Sequence, residues 1–428
     1  MREMKDSGIE WIGAIPQDWQ LSKIGSLYTQ RNEKVSDNDY QPLSVTMQGI
    51  LPQLATAAKT DDGDNRKLVR AGDFAINSRS DRRGSCGISP LDGSVSLINI
   101  ILTPRTAMHP GYYNWLFHTT LFADEFYKWG HGIVADLWTT RWQEMKSITV
   151  PVPEYAEQKR IVTFLDAQCA EIDAVLEKTR ASIEEYKKLK QAVITQAVTK
   201  GIHGDRPMKD SGIEWIGEIP AEWDVVRQKY FWNTVESGVS VNAADKPVDN
   251  SEQYGVLKTS AVSKFVFIPT EHKQVNLEEY GRVSCPVRAD SIIASRMNTP
   301  ELVGACGYVQ NNYPNLFLPD RLWQITFKDG LSPKYAWYYL SGIRVRQYIS
   351  SLSTGTSSSM QNISQSQYGN ILITIPSVEE QSEITKYLDE KYAGIDALIA
   401  KKQQYLTEIE NYKKSLIYEY VTGKKEVV

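Results

Sequence analysis

An internal repeat constrains this chain more than any other feature of its sequence. Residues 4–16 read MKDSGIEWIGAIP and residues 208–220 read MKDSGIEWIGEIP, so twelve of thirteen positions are identical. Trp19 and Trp223 follow the two copies at the same distance. A sequence that repeats itself over such a long interval indicates that one structural unit occurs twice.

A second and longer repeat supports the same division. Residues 153–200 align without a gap with residues 376–423, and 16 of 48 positions are identical. The short repeats are 204 residues apart and the long repeats 223, so the second intervening segment is 19 residues longer. The chain therefore runs short repeat, segment, long repeat, and then the same order again.

The two intervening segments, residues 17–152 and 221–375, share landmarks although their sequences differ. Each segment contains a short apolar run that ends in Ser-Arg, at residues 72–79 in the first and 289–296 in the second. Each segment ends in a short β-branched run just before the long repeat. Short apolar runs broken by Gly, Pro and Asn predict mixed α/β domains with mainly antiparallel sheet. Aromatic stretches, Tyr112 to Phe117 and Tyr335 to Leu340, are expected to be core helices.

The long repeats have a helical pattern. Their apolar residues recur mostly at spacings of three, four or seven, with Glu and Lys between them. This pattern predicts two helices of roughly 40 residues, about 60 Å each, that end near Gly201 and Gly423. A single such helix would leave its apolar stripe in water, so pairing of the two helices as a coil is favoured. The alternative is that each helix packs on its own globular domain.

Composition excludes several protein classes. A length of 428 residues predicts two to four domains, and a content of 41% apolar residues is typical of globular proteins. Four cysteines without Cys-x-x-Cys spacing argue against a disulfide framework or a zinc ribbon and fit a reducing cytoplasm. No run approaches the 18 apolar residues of a membrane span, and the start of the chain lacks a signal-like apolar core. Because the formal charge is −4, any nucleic-acid surface must be local.

Two stretches after the apolar runs are candidate DNA-binding loops. The first segment carries a basic cluster at this place, and the second carries a polar loop at the matching place. Arg binds guanine edges through its planar fork, and Lys or Arg binds phosphate. The candidates are Arg79, Arg82 and Arg83, within a cluster that also includes Arg66, Lys67 and Arg70, and Ser295, Arg296 and Asn298. The alternative is a solvated loop with internal Arg–Asp pairs.

A second pair of candidate loops precedes the last β-like run of each segment. Ser, Thr, Asn and Gln side chains both donate and accept hydrogen bonds and therefore suit base edges and phosphates. The candidates are Thr140 and Arg141 in the first segment, and Ser358, Gln361 and Asn362 in the second. The alternative is that these stretches are flexible loops or helix caps.

Three stretches of the sequence together resemble a known protein family. GIEWIGxIPxxW, IPVPEYAEQKRIVTFLDAQCAEIDAV and TIPSVEEQSEITKYLDEKYAGIDALI resemble the specificity (S) subunit of Type I restriction–modification systems, the HsdS family, over essentially the whole chain. The resemblance implies two target-recognition domains, each reading half of a split asymmetric site in double-stranded DNA. It also implies two methyltransferase (M) subunits and two restriction (R) subunits as partners, with S-adenosylmethionine in the methyltransferase and no cofactor in this chain.

The predicted fold class is therefore α+β: two mixed α/β target-recognition domains joined by two long helices in an antiparallel coiled coil, with a pseudo-twofold internal repeat. The predicted boundaries are 1–152 and 203–375 for the domains and 153–202 and 376–428 for the helices. The expected location is the cytoplasm of a bacterium or archaeon, without a membrane.

The sequence also lacks motifs of catalysis. It contains no Gly-x-Gly-x-x-Gly, no Asn-Pro-Pro-aromatic motif and no Gly-Lys-Ser/Thr phosphate loop, and its five histidines have no metal-ligand spacing. We therefore expect no catalytic, cofactor-binding or metal-binding residue. Two other functions remain open: a structural adaptor whose heads bind protein, and a metal-dependent nuclease built on Asp136, Glu144 and Lys146.

Overall fold

The computed structural model describes residues 2–53, 63–132, 138–357 and 360–427. The chain divides into two compact units. Unit 1 consists of Met1–Arg180 and Gln403–Val428, and unit 2 consists of Ala181–Lys402. Each unit therefore contains one globular segment together with part of both long helices.

The helices follow the predicted pattern of short helices in the segments and two long helices in the repeats. They are α1 (Ile24–Leu27), α2 (Pro110–Phe117), α3 (Thr120–Lys128), α4 (Trp142–Met145), α5 (Tyr155–Lys200), α6 (Pro333–Ser341), α7 (Ile343–Leu352), α8 (Gln365–Gly369) and α9 (Val378–Val421).

Unit 1 is built on short and mainly antiparallel strands. They are β1 (Met4–Asp6), β2 (Ala14–Pro16), β3 (Gln20–Lys23), β4 (Tyr28–Arg31), β5 (Lys34–Val35), β6 (Leu43–Thr46), β7 (Gly49–Pro52), β8 (Arg66–Val69), β9 (Phe74–Asn77), β10 (Cys86–Ile88), β11 (Gly93–Val95), β12 (Asn99–Pro104) and β13 (Thr149–Val152). The central sheet has the order β10-β9-β12-β4, and β13 pairs separately with β3.

Unit 2 repeats the plan with more strands. They are β14 (Met208–Asp210), β15 (Glu218–Pro220), β16 (Asp224–Arg227), β17 (Trp232–Ser237), β18 (Ala243–Ala244), β19 (Gly255–Leu257), β20 (His272–Val275), β21 (Pro286–Val287), β22 (Ser291–Ser295), β23 (Met297–Asn298), β24 (Cys306–Val309), β25 (Tyr313–Phe317), β26 (Leu322–Phe327), β27 (Thr354–Ser357), β28 (Met360–Asn362) and β29 (Leu372–Ile375). Its central sheet has the order β17-β26-β22-β24.

Aromatic side chains fill the main core of each unit, as the sequence predicts. In unit 1 the helix α2 buries Tyr112, Tyr113 and Phe117 against the central sheet, where Phe74 and Phe117 pack with ring centroids 4.8 Å apart. In unit 2 the helix α6 buries Tyr335 and its neighbours in the same manner. The expectation that both aromatic stretches are core helices is confirmed. Such rings contribute a large buried apolar area and therefore dominate the packing energy.

The long helices end where the sequence predicts. Helix α5 ends at Lys200 and is followed by Gly201 with a φ of +75°, and α9 is followed after one residue by Gly423 with a φ of +70°. Glycine adopts this left-handed conformation without steric cost and so terminates a helix readily. None of the helices in the described ranges is apolar enough over a sufficient length to cross a membrane.

Within unit 1, the parts of the two long helices run antiparallel. The rings of Phe164 and Tyr420 lie 4.4 Å apart, and Lys413 Nζ lies 2.6 Å from Asp173 Oδ1. Further along α5, Arg180 Nη2 lies 2.6 Å from Glu410 Oε1. Residue numbers rise along one helix as they fall along the other. Buried Ile161 and Leu165 also enter the core of the unit, so this part of α5 packs on its globular segment as well.

Within unit 2, the helices show the same arrangement. Lys190 Nζ lies 2.8 Å from Asp396 Oδ2 and 3.9 Å from the centroid of the Tyr392 ring, and Lys402 lies over Tyr186. Again the contacts pair rising numbers on α5 with falling numbers on α9. These exposed ion pairs fix register and contribute little stability individually, roughly 0–1 kcal/mol.

A repeated three-residue contact joins the short repeat to the long repeat. In unit 1 the indole Nε1 of Trp19 donates to Glu157 Oε2 at 2.9 Å, and Arg2 pairs with the same carboxylate. In unit 2 Trp223 Nε1 donates to Glu380 Oε2 at 2.7 Å, and Arg206 pairs with that carboxylate at 2.6 Å. Glu157 and Glu380 lie in the first turns of α5 and α9. This contact gives a physical reason why the two repeats occur together in each half.

Candidate nucleic-acid interface

In unit 1 the structure brings the two predicted loops together. After strand β9 the chain continues as an irregular strand whose residue Arg79 forms an antiparallel bridge with Thr139. Ser80 N donates to Trp138 O at 2.9 Å, and Thr140 N donates to Ser78 O at 2.9 Å. Thr139 also bridges to His131 on its other side. We call residues 78–83, 131–132 and 138–141 ribbon 1.

The three arginines of ribbon 1 differ in their ion pairs. Arg79 is exposed, and none of the ion pairs between described residues involves it. The side chain of Arg82 is 68% exposed, and its nearest carboxylate oxygen, on Asp81, is 3.7 Å away. Arg83 donates to Asp124 Oδ1 at 2.7 Å and lies over the Tyr127 ring. Among the described residues, Arg79 and Arg82 thus lack a close ion pair, whereas Arg83 is held by helix α3.

The other two candidates of ribbon 1, Thr140 and Arg141, differ in their exposure to solvent. Thr140 is fully buried, and its hydroxyl donates to the Phe126 carbonyl at 2.8 Å, so its placement argues against a role in contacting DNA. Arg141 is exposed at the start of helix α4, where its backbone N–H donates to Glu144 Oε2. Glu144 therefore caps a helix. Its predicted nuclease partner Asp136 lies outside the described residues.

The rest of the predicted basic cluster lies elsewhere and has structural contacts. Arg66 is buried, and its guanidinium donates to the hydroxyl and the carbonyl of Ser94. Lys67 donates to the carbonyl of Asn99. Arg70 pairs with Asp92 at 3.0 Å, just before the start of β9. Arg70 thus forms an Arg–Asp pair of the kind that the alternative interpretation expects, whereas Arg66 and Lys67 bind hydroxyl and carbonyl groups.

In unit 2 the same two stretches also meet. Strand β23 pairs with β28, with Met297 opposite Asn362 and Asn298 opposite Gln361, and β28 pairs with β27 on its other side. The Ile363 N–H donates to the carbonyl of Arg296 at 3.0 Å, which extends the pairing. We call residues 296–298, 354–357 and 360–363 ribbon 2. Its order, a strand leaving the central sheet, a middle strand and an outer strand, matches that of ribbon 1.

The candidate side chains of ribbon 2 are mostly half-buried. Arg296, Asn298, Gln361 and Asn362 are each partly accessible. Ser295 is fully buried at the end of β22, and its hydroxyl donates to the carbonyl of Met297, so its position argues against contact with DNA. The predicted residue Ser358 lies outside the described residues.

The amides of ribbon 2 have chemistry that suits base edges. Each carries both a donor and an acceptor, and a planar amide matches the paired donor and acceptor of adenine in the major groove. The Asn362 Oδ1 atom is shielded and has no hydrogen-bond partner among the described residues. Ribbon 1 is cationic and ribbon 2 is rich in amides, so the two surfaces differ in chemistry.

A hairpin that the sequence argument missed lies beside ribbon 1. Strands β6 and β7 pair through a turn at Thr46 to Gly49, and the Met47 side chain at its tip is 67% exposed. A Cβ atom on Gly87 would lie 2.9 Å from the Gly49 Cα, so the tip packs against strand β10. The sequence feature that could have indicated this hairpin is Gly49. In the structure its φ is +105°, a conformation that suits a tight hairpin turn. A cleft of about 590 Å³ also opens beside Arg83, Asp124 and Trp138.

Two observations on the described ranges concern metal binding and thiol chemistry. No group of three or more His, Cys, Asp or Glu residues in these ranges could hold a metal ion. The cysteines are unpaired, and burial raises the pKa of Cys306 to about 11, so this thiol is protonated at neutral pH. A protonated, buried thiol is a poor nucleophile.

Comparison with known proteins shows which family this chain resembles. A family model described as the Type I restriction modification DNA specificity domain matches residues 220–408. Specificity subunits of Type I restriction enzymes match about two thirds of the chain, among them the MjaVIII subunit of Methanocaldococcus jannaschii at 27% identity over 296 residues. The chain is therefore similar to the specificity subunits of Type I restriction–modification systems, and residues 220–408 match their DNA specificity domain. The EcoKI specificity subunit of Escherichia coli is 21% identical over 285 residues.

The alignments with these family members are partial. They cover 66% and 65% of this chain, and they span only 63% of the MjaVIII subunit and 58% of the EcoKI subunit. The chain thus aligns with about three fifths of the length of the specificity subunits that it matches.

Solved structures show the same fold over nearly the full chain. A chain from a study of complex assembly and conformational transition of the type I R-M system covers 96% of this chain with a TM-score of 0.70 at 15% identity. The HsdS subunit from Thermoanaerobacter tengcongensis also covers 96%, with a TM-score of 0.50 at 16% identity. At these identities the likeness establishes the mixed helix-and-sheet HsdS-like fold.

Proposed function

We propose that this specificity subunit directs a Type I restriction–modification complex to a split DNA sequence, and that each unit reads one half of the site. The observation that carries the proposal is the presence of one ribbon at the same place in each unit, built from sequence-distant strands. Ribbon 1 bears Arg79 and Arg82, and ribbon 2 bears Arg296, Asn298 and Gln361. Different side chains on a common scaffold would read different half-sites.

The electrostatics favour local rather than global attraction to DNA. The chain has a net charge of −4, so its general field does not attract a polyanion. Arg79 nevertheless is exposed and forms no ion pair with another described residue, and Arg82 is exposed with Asp81 3.7 Å away. Binding by such local cations is expected to weaken as salt rises, because each phosphate contact releases counterions. Much of the non-specific affinity would come from partner subunits.

The long helices would hold two methyltransferase subunits, with restriction subunits joining the assembly. Several large apolar side chains on these helices are exposed, including Tyr155 at 53%, Tyr405 at 48% and Tyr412 at 56%. Exposed aromatic residues at helical spacing are typical of protein interfaces. This chain would supply recognition and no catalytic residue. S-adenosylmethionine would bind the methyltransferase, which acts on a flipped adenine.

The helix pair would determine the spacing of the two half-sites. The antiparallel contacts of α5 and α9 within each unit support a single antiparallel coiled coil as the connection. A coil of fixed length then determines the number of base pairs between the half-sites, as half-site spacing mirrors protein geometry in two-headed DNA readers.

A domain exchange tests the proposal. Residues 17–152 are replaced by the corresponding segment of another specificity subunit of known target, and the complex with the methyltransferase is assayed for methylation. The expected result is that one half-site changes and the other is retained. The matched exchange of residues 221–375 should change the opposite half-site. A chimera that keeps the complete original site would contradict the proposal.

A further inference from the structure

A buried arginine contacts the loop that follows the first strand of ribbon 2. Arg346, on helix α7, is only 7% exposed. Its Nη2 atom donates to the carbonyls of Glu301 and Val303, both at 2.9 Å. The guanidinium also lies 4.7 Å from the centroid of the Phe265 ring. None of the ion pairs between described residues involves Arg346, and its Nε and Nη1 atoms have no hydrogen-bond partner there.

Such a residue is unfavourable as a stabilising device. Burial of a cation is costly unless charges and hydrogen bonds compensate for it, and apolar replacements of buried charges are often neutral or stabilising. Among the described residues, the groups that compensate Arg346 are two carbonyls and an aromatic face. Its presence at this position therefore calls for an explanation other than stability.

The two carbonyls belong to the loop that follows the recognition strand. Residues 299–305 connect β23 to β24, and residues 299–304 fold back on themselves, with the Leu302 N–H donating to the Thr299 carbonyl. The Gly304 N–H donates to the Ser295 carbonyl at 2.6 Å. Gly304 has a φ of +68°, and a Cβ there would lie 2.7 Å from the Ile349 side chain. The loop therefore packs closely on helix α7, and Arg346 binds its carbonyls at Glu301 and Val303.

Unit 1 holds its loop from the equivalent helix with different residues. There Asp124 on helix α3 pairs with Arg83 of ribbon 1. The Tyr127 hydroxyl of the same helix donates to the carbonyl of Asn77 at 3.0 Å and lies 3.3 Å from that of Arg82. In both units a short helix, α3 in unit 1 and α7 in unit 2, thus binds the chain that leaves the central sheet. The arginine is on the loop in unit 1 and on the helix in unit 2.

We propose that Arg346 is a positioning residue for DNA specificity in unit 2. By holding the carbonyls of Glu301 and Val303 it fixes the loop at residues 299–304, and the loop in turn fixes strand β23, which carries Asn298 and follows Arg296. Arg346 does not contact DNA itself. This inference rests on the proposed function, because it assigns a role within the half-site read by unit 2.

The test uses the full chain in complex with its methyltransferase. Methylation is measured on a library that contains every single-base change in both half-sites, so that discrimination is obtained for each half separately. The variants are Arg346→Met, which keeps the length and loses the donors, and Arg346→Lys, which keeps the charge but not the planar fork. Arg344→Met is the matched control, because Arg344 is exposed on the same helix.

The expected result is a local loss of discrimination. Arg346→Met should reduce discrimination in the unit 2 half-site about tenfold, comparable to the loss of one good base contact. The unit 1 half-site should keep its discrimination, and the melting temperature should fall only slightly. Arg346→Lys should recover part of the loss, and Arg344→Met should behave as the unchanged chain does.

Other outcomes would overturn the inference. Full discrimination in both half-sites by Arg346→Met would show that the loop needs no anchor. Equal losses in both half-sites with a large fall in melting temperature would assign Arg346 to stability alone, and if Arg346→Met does not fold, the same criterion applies to Arg346→Lys. A wild-type complex that methylates no split site would instead refute the proposed function, and the inference with it.

Discussion

Arg79 and Thr139 form an antiparallel bridge that joins two distant stretches of unit 1 into one polar surface. In unit 2, Asn298 and Gln361 lie opposite each other in the corresponding ladder. Each unit therefore has a single ribbon, and the two loops predicted separately from sequence belong to the same surface. A substitution in either strand of a ribbon should affect the half-site read by that unit.

The double variant Arg79→Ala/Arg82→Ala tests ribbon 1. It removes two exposed guanidinium groups, so we expect weaker binding or relaxed specificity in one half-site, with a cost of about 1–3 kcal/mol for a lost base contact. Competition binding of the complex to half-site variants measures this effect. Arg70→Ala is the control, because Arg70 precedes strand β9 and pairs with Asp92. Equal losses in both half-sites would contradict independent readers.

The variant Glu157→Gln tests the contact between the two repeats. Glu157 accepts hydrogen bonds from both Trp19 and Arg2, and an amide presents only one acceptor oxygen to these donors. We expect the free energy of unfolding to fall by about 1–3 kcal/mol, the usual cost of a buried donor left without a partner. Thermal denaturation measures it. Glu154→Gln, at an exposed position just before α5, is the matched control. Equal melting temperatures for the two variants would refute the role assigned to Glu157.

His118 makes the stability of the chain depend on pH. Burial lowers the pKa of His118 below its ordinary value of 6.5, although its Nδ1 lies 2.6 Å from the Asn114 carbonyl. The unfolded chain therefore binds this proton first as the pH falls. The stabilisation is complete above about pH 6.5 and is lost progressively as the pH falls below that value.

The variant His118→Gln should reduce this dependence. Melting temperatures measured between pH 5 and pH 7.5 should fall less steeply with acidification in this variant than in the unchanged chain. His131→Gln, at an exposed position, is the matched control. Identical pH slopes for the unchanged chain and His118→Gln would show that the histidine does not contribute.

Shortening both long helices tests the spacing role of the proposed coil. Seven residues are deleted from α5 between Asp173 and Lys190 and seven from α9 between Asp396 and Lys413, so that both ion pairs keep their partners. The coil becomes about 10 Å shorter, the length of about three base pairs. We expect a shorter spacer with unchanged half-sites in a map of methylated adenines. Deletion from one helix alone should impair folding. Altered half-sites would contradict the spacing role.

The helices, the cores and the pairing of elements differ in how far sequence predicts them. The glycine-terminated helices and the buried aromatic stretches were predictable, because periodicity and residue type directly reflect burial. The inward positions of Thr140 and Ser295 were not, since a hydroxyl suits either a base edge or a neighbouring carbonyl. Likewise, the sequence of the basic cluster does not reveal that Arg66 is buried against Ser94.

The ribbons show why the remaining features escape prediction. The bridge between Arg79 and Thr139 depends on tertiary placement of two short strands, and neither stretch has the alternation of a regular strand. The anchoring role of Arg346 is hidden for a related reason, because a single arginine in an amphipathic helix looks like a solvated residue. Matching landmarks in the two segments could identify the loops, but their pairing required the structure.

The most direct test of the central claim is a genome-wide map of methylated adenines. The chain is expressed with its methyltransferase subunit in a host that lacks adenine methylation, and modified bases are located by long-read sequencing. We predict one split motif, methylated on opposite strands in its two halves. Methylation at a short continuous motif, or none from a stable purified complex, would contradict the claim that two units read two half-sites.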